Sequence, residues 1–272
     1  MPGMTGMGSM TELGYGWLTP ILSYAMAVLG SALGLRCTVR ALTAEGRSKR
    51  NWLLTAAAAI GSGIWTMHFV AMLGFTVTGS EIRYDVPLTV LSLLVAVFFV
   101  ALGVFAVGYG RHRGRSLLVG GFTTGLGVAA MHYLGMYALR LHGAVGYRPA
   151  TVAVSVLIAV VAATAALWAG LNIRGPVAAG AAALVMGVAV SSMHYTGMAA
   201  VTVAVRPDQA TLPGATVMQF VFPLVVGLGS FLFLTAAFVA LSPTAQERAA
   251  AVGAEQLRAQ AAPAAAPASP SL

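Results

Sequence analysis

Residues 61–72 read GSGIWTMHFVAM, and the chain repeats the pattern as GLGVAAMHYLGM over residues 125–136 and GVAVSSMHYTGM over residues 187–198. Each copy is Met-His-aromatic, one variable residue, Ala or Gly, then Met. The histidines are His68, His132 and His194, 64 and 62 residues apart. A period that constant marks internal duplication, which has to be read before any local pattern. All three copies lie inside long apolar runs, where an ionisable ring is costly and points to function.

The surroundings of the copies set the fold class. Of 272 residues, 58% are apolar and 8% charged, and the mean hydropathy is +0.86. Soluble domains carry about 25% charged residues, so the deficit reads as a polytopic membrane protein. The first fifteen residues contain no Lys or Arg and precede a full-length span, so no secretory signal is expected there. The net charge of +8 sits in short loops between apolar runs, which fits membrane topology and argues against a nucleic-acid partner. Cys37 is the single cysteine, excluding an intramolecular disulfide and a thiolate cluster.

The expected fold is all-α, with seven transmembrane helices near 18–36, 53–77, 87–109, 116–139, 151–171, 176–204 and 218–241, each close to the ~20 residues a span requires. Residues 1–17 form a short polar lead, expected to lie outside the cell. Residues 18–241 form the membrane domain. Residues 242–272 form an Ala/Pro-rich cytoplasmic tail, mostly disordered apart from a short helical stem near 246–260. Eleven basic residues fall on one side: Arg36, Arg40, Arg47, Lys49, Arg50, Arg111, Arg113, Arg115, Arg174, Arg248 and Arg258. Four fall on the other: Arg83, Arg140, Arg148 and Arg206. Positive loops stay cytoplasmic, which predicts an inner-membrane protein with its N-terminus outside and its C-terminus inside.

Helices 2, 4 and 6 then run the same way, and their histidines stand roughly 22–27 Å from the cytoplasmic face by helix rise. The repeating unit is a helix hairpin, 1–2, 3–4 and 5–6, with helix 7 extra. Parallel repeats are related by an axis along the membrane normal, and sites form where they meet. A pseudo-threefold bundle with helices 2, 4 and 6 lining its centre is expected.

On a helix, i and i+4 share a face, which pairs His68 with Met72, His132 with Met136, and His194 with Met198. Ala71, Gly135 and Gly197 at i+3 are small, as close helix approach requires. Met67, Met131 and Met193 stand about 100° round the helix, as secondary ligands or as packing. Imidazole with thioether and no carboxylate suits copper best. Haem with His/Met ligation is the alternative cofactor. Trp65, Phe69, Tyr133 and Tyr195 are read as packing or belt aromatics. His112, His142, Glu81, Asp85 and Asp208 are read as loop groups in solvent or at the lipid surface. Phe69 carries no hydroxyl, so one hydroxyl role shared by all three copies is ruled out.

The copies MHFVAM, MHYLGM and MHYTGM resemble the MHYT family of bacterial integral membrane sensor domains, and Met193-His194-Tyr195-Thr196 spells its name. The resemblance covers about residues 18–241, and Phe69 and Ala71 in the first copy depart from its pattern. It implies a sensor that binds copper through these Met and His residues and perceives a diatomic gas such as O2, CO or NO. In the family the module is often fused to diguanylate cyclase or cyclic-di-GMP phosphodiesterase domains. The tail here is too short for either, so no enzyme activity is expected of this chain, and output is expected through an unidentified partner protein. The rival readings are a copper carrier or permease, which requires ligands staggered through the membrane, and a haem-binding redox protein.

Overall fold

The computed structural model describes residues 6–7, 9–12, 14–173, 175–206, 211–242 and 252–256. Among them, seven helices are long and apolar enough to cross a membrane. They are α1 (Leu18–Leu42), α2 (Gly46–Leu73), α3 (Val86–Tyr109), α4 (Arg113–Tyr137), α5 (Pro149–Asn172), α6 (Pro176–Ala199) and α7 (Phe222–Leu241), the last entered through a π-helical turn, Val217–Val221. Proline in the first two positions opens α3, α5 and α6, where its missing N–H removes no helical bond. Asp85 caps α3 by accepting the Leu88 N–H at 3.1 Å. The protein is an all-α, polytopic membrane protein.

The first six helices form a closed ring in chain order, with α6 returning to α1, and α7 packs outside on α1 and α2. Burial follows that plan: 83% of the apolar window of α2 is covered by protein, against 11% for α7. Small residues set the close crossings. A Cβ at Gly30 of α1 would stand 2.8 Å from the Gly63 Cα of α2, and one at Gly61 would stand 2.7 Å from the Val97 Cα of α3. Neither backbone can retreat without separating the helices.

The helices cross the ring at a slant. At the end where α2, α4 and α6 finish, those three helices meet on the axis through their histidines. Toward the other end, Leu35 and Thr38 of α1, Val100 and Val104 of α3 and Ala163 and Leu167 of α5 close around a cavity of about 30 Å³. The first end is called here the motif end and the second the basic end.

Helix limits differ from the hydropathy reading in three places. Helix α1 continues to Leu42 and α2 begins at Gly46, so Arg36, Arg40, Arg47, Lys49 and Arg50 lie on helices joined by a three-residue turn. Hydropathy marks the lipid-facing part of a helix, and charged residues extend the helix beyond it. Helix α2 stops at Leu73, and Thr76–Val77 is a strand. Helix α6 stops at Ala199, and Val201–Val205, VTVAV, is also a strand. Its alternating β-branched residues carry the strand period, which an apolarity window cannot separate from a span.

Short antiparallel strands therefore cover the motif end. They are β1 (Gly6–Met7), β2 (Met10–Thr11), β3 (Thr76–Val77), β4 (Arg83–Tyr84), β5 (Leu139–Arg140), β6 (Gly143–Tyr147) and β7 (Val201–Val205). They pair as β1-β7-β6, β2-β3 and β4-β5, so the lead before α1 is tied to the loops after α2 and α6. Asp85 is not simply solvated: Arg140 donates to it at 2.7 Å. Glu81 stands 3.4 Å from Arg83, and the His142 N–H donates to Ser80 Oγ at 2.7 Å. Asp208 and most of the tail lie outside the described residues. Within the tail, residues 252–256 are helical.

Candidate metal centre

His68, His132 and His194 each stand five residues before the last residue of their helices. All three rings therefore share one depth, about 7–8 Å inside the motif end and roughly 27–33 Å from the basic end. For His68 and His132 that is further from the basic end than the sequence estimate, because α2 and α4 begin earlier than the apolar runs.

The rings meet. His68 Nδ1 lies 2.9 Å from His194 Nδ1 and 3.2 Å from His132 Nδ1. Ring centroids are 4.9, 4.9 and 5.3 Å apart, with the rings nearly edge to face. Exposures are 1%, 0% and 2%, so bulk water does not reach them. Among the described residues, this is the group of three or more His, Cys, Asp or Glu side chains close enough to share an ion. It contains no acid.

Its proton accounting is incomplete. His68 Nδ1 faces two ring nitrogens, and its single proton or lone pair satisfies one of them well. His68 Nε2 and His132 Nε2 are buried with no hydrogen-bond partner. Unmet ring nitrogens in a dry interior are expensive, and a cation shared by three Nδ1 lone pairs would relieve the crowded side. Three nitrogens about 2.0 Å from one ion stand roughly 3.3–3.6 Å apart. The two close pairs, His68 with His194 and His68 with His132, would part by only a few tenths of an ångström to reach that spacing. The donor set fits a metal.

The i+3 position has a more specific role than helix approach. A Cβ at Gly135 would stand 2.7 Å from His68 Nε2, and one at Gly197 would overlap His132 Nε2. Copies 2 and 3 thus each provide the seat for the preceding copy's imidazole. Met67, Met72, Met131, Met136, Met193 and Met198 are all buried, at 0% to 3% exposure, in the one apolar cluster that also holds Trp65, Phe69 and Tyr84.

The sequence reading missed a set of buried partners beside the rings. Trp65 is more than packing: its Nε1–H donates to Ser92 Oγ on α3 at 2.9 Å. The Tyr133 hydroxyl meets Ser155 Oγ on α5 at 2.6 Å. In the third copy the Tyr195 side chain faces Ser23 on α1. A buried serine in the second turn of each of α1, α3 and α5 was the available sequence signal.

The profile of the family described as "Bacterial signalling protein N terminal repeat", MHYT, matches residues 61–121, 125–183 and 187–253. Each matched unit opens at one of the three motif copies. The chain is 42% identical over 192 residues to the bifunctional diguanylate cyclase/cyclic di-GMP phosphodiesterase MucR of Pseudomonas aeruginosa, covering 68% of this chain and 28% of that protein. It is 42% identical over 162 residues to the cyclic di-GMP phosphodiesterase NbdA of the same organism, covering 57% and 21%. To the signaling protein YkoW of Bacillus subtilis it is 30% identical over 198 residues, covering 66% and 23%. The chain thus spans about a quarter of the length of these relatives. No solved structure matches it. Three matched repeats, each carrying one histidine of a shared buried centre, make this chain a member of the MHYT family of bacterial membrane signalling proteins.

Proposed function

We propose that the chain is the sensing part of a signalling system, that His68, His132 and His194 bind one copper ion, and that Met72, Met136 and Met198 complete the donor set. Met67, Met131 and Met193 form the surrounding thioether layer. The observation that carries this reading is the convergence of three buried imidazoles, one per repeat, with no carboxylate among them. Thioether with imidazole suits copper in either oxidation state better than it suits zinc, calcium or magnesium. Bound there, copper would supply a redox-active centre with affinity for O2, CO or NO.

The chain's own part is positional. Three rings on three helices hold α2, α4 and α6 together at the motif end, and any change in how many rings are engaged changes the spacing of those helices. A ligand shifts that arrangement only by its differential affinity for the two states. Output would pass at the basic end to a separate partner, which we place in the cytoplasm from the distribution of Arg and Lys. MucR and NbdA bear the names of cyclic-di-GMP enzymes, which supports a partner of that class.

Geometry disfavours the rival readings. Haem needs a slot for a macrocycle, and rings with centroids 4.9–5.3 Å apart leave none between them. A permease needs donors staggered through the membrane, whereas the small cavity below the rings is lined mostly by apolar groups such as Leu35, Ile60, Val100 and Leu167, with Met186 as its single thioether beside Thr38 and Thr124.

The test is metal analysis of protein purified in mild detergent, with spectra recorded with and without each gas. Copper in the wild type, lost in a folded triple His→Ala variant, is the expected result. Equal copper in that variant overturns the assignment.

A further inference from the structure

We propose that Trp65, Tyr133 and Tyr195 are positioning residues for the imidazole centre. Trp65 and Tyr133 each hydrogen-bond a buried serine on the neighbouring hairpin, Tyr195 faces the equivalent serine, and each contact so fixes the rotation of its own helix that turns Nδ1 toward the axis. The inference rests on the three-histidine centre and deepens it.

The three serines are equivalent. Ser23, Ser92 and Ser155 are fully buried, and each donates its hydroxyl proton to the carbonyl three residues earlier: Pro20 at 2.9 Å, Thr89 at 2.7 Å and Val152 at 2.8 Å. With that proton committed, the serine oxygen offers lone pairs, and a side-chain donor from the next helix completes it. Trp65 and Tyr133 supply that donor to Ser92 and Ser155, and Tyr195 is the side chain that faces Ser23. Water is scarce at this depth, so a donor turned away from its serine stays unmet. The contact therefore selects one rotation of the helix.

The first copy shows that the contact is kept while the residue changes. Phe69 occupies the place of Tyr133 and Tyr195 and has no hydroxyl. Trp65 stands one turn earlier on the same face, with its ring centroid 4.2 Å from that of Phe69. Its indole N–H reaches Ser92 instead. The hydroxyl is absent from copy 1, but the hydrogen bond is present.

The clamps act directly on the imidazoles. Phe69, Tyr133 and Tyr195 pack edge to face on His68, His132 and His194 at 4.7, 4.8 and 5.0 Å. Each aromatic is a wedge between an imidazole and the adjoining hairpin. Hydrogen bonds link α2 to α3 and α4 to α5, and the Tyr195–Ser23 contact lies at the equivalent place between α6 and α1. Rotation of one motif helix is thereby passed to its neighbour.

The test uses full-length protein in detergent with two readouts: copper affinity, and the 15N histidine spectrum of the metal-free protein. Trp65→Phe removes the indole donor together with part of the ring, and should move the His68 signals and weaken copper binding about 10–100-fold, as loss of a supporting partner does elsewhere. Adding Phe69→Tyr to that variant should return both toward wild type. Tyr133→Phe, which removes one oxygen, should act in the same way on His132, and Ser155→Ala in that background should add little. Should Trp65→Phe fail to fold, the Tyr133 and Ser155 variants decide. Unchanged histidine spectra in Trp65→Phe or Tyr133→Phe, or no recovery with Phe69→Tyr, overturn the proposal. If the wild type binds no copper, the metal assignment falls, and the metal-free spectra still decide the clamps.

Discussion

At the residue scale, a single methyl group at Gly197 would enter the space of His132 Nε2, and one at Gly135 would press on His68 Nε2. Both rings are buried against neighbouring helices, so neither has room to retreat. Gly197→Ala should destabilise the protein by about 1–3 kcal/mol, the usual cost of overpacking a filled core, and should lower copper content. Ala71→Gly should change both little, because copy 1 already accommodates a Cβ. Thermal melts in detergent with metal analysis distinguish the two outcomes; a Gly197→Ala protein as stable and as copper-rich as wild type contradicts the seat. The sequence showed that this position must be small, from three copies alone. It could not show why, because the ring that needs the space comes from a different repeat some sixty residues away. Trp65 was hidden for the same reason: its partner Ser92 lies on another helix, and no local spacing connects them.

At the element scale, two features govern how the ends of the helices behave. Asp85 both caps α3 and accepts from Arg140, joining β4–α3 to β5. The Leu88 N–H, first, and then the Arg140 guanidinium hold its carboxyl below the ordinary carboxylate range. A carboxyl with a lowered folded pKa adds stability that is present above its unfolded value near 3.9 and is lost as pH falls through the folded value. Asp85→Ala should therefore cost about 1 kcal/mol at neutral pH, chiefly through the cap. The difference from wild type should shrink on acidification below about pH 4; a difference that grows there contradicts the assignment. At the basic end, Arg40 of α1 donates to the Val239 and Ser242 carbonyls at 2.8 Å each while its guanidinium lies 5.0 Å over Trp52 of α2. It fastens the last turn of α7 to the hairpin that carries His68. Arg40→Ala should raise hydrogen exchange in the final turn of α7 and leave the α4–α5 pair unchanged. Exchange that stays at the wild-type rate would show that apolar packing alone holds α7. Helix existence and order were legible from hydropathy. The strands were not, because VTVAV reads as apolar whether it crosses lipid or pairs with β6.

At the scale of the whole molecule, seven crossings put the segments before α1 and after α7 on opposite faces of the membrane. The Arg and Lys distribution supports our proposal that the basic end faces the cytoplasm. A reporter active only outside the cytoplasm, joined after Ser242, should be inactive, and the same reporter in the β6 hairpin should be active; the reverse pattern would invert the topology. The ring of three hairpins was readable from the 64- and 62-residue spacing, since parallel repeats place equivalent residues at equal depth. The slant that brings α2, α4 and α6 together at one end, and α1, α3 and α5 toward the other, follows from side-chain packing between helices and has no signature in any one span.

The central claim is that the three repeats build one site together and not three sites separately. Copper per chain, measured for wild type and for His68→Asn, His132→Asn and His194→Asn singly, tests it most directly. One shared site predicts about one ion in the wild type and near-complete loss in each single variant, since two imidazoles with thioethers hold the ion far less tightly. Full copper in any one of the three folded variants, or losses that add in equal thirds, would contradict it.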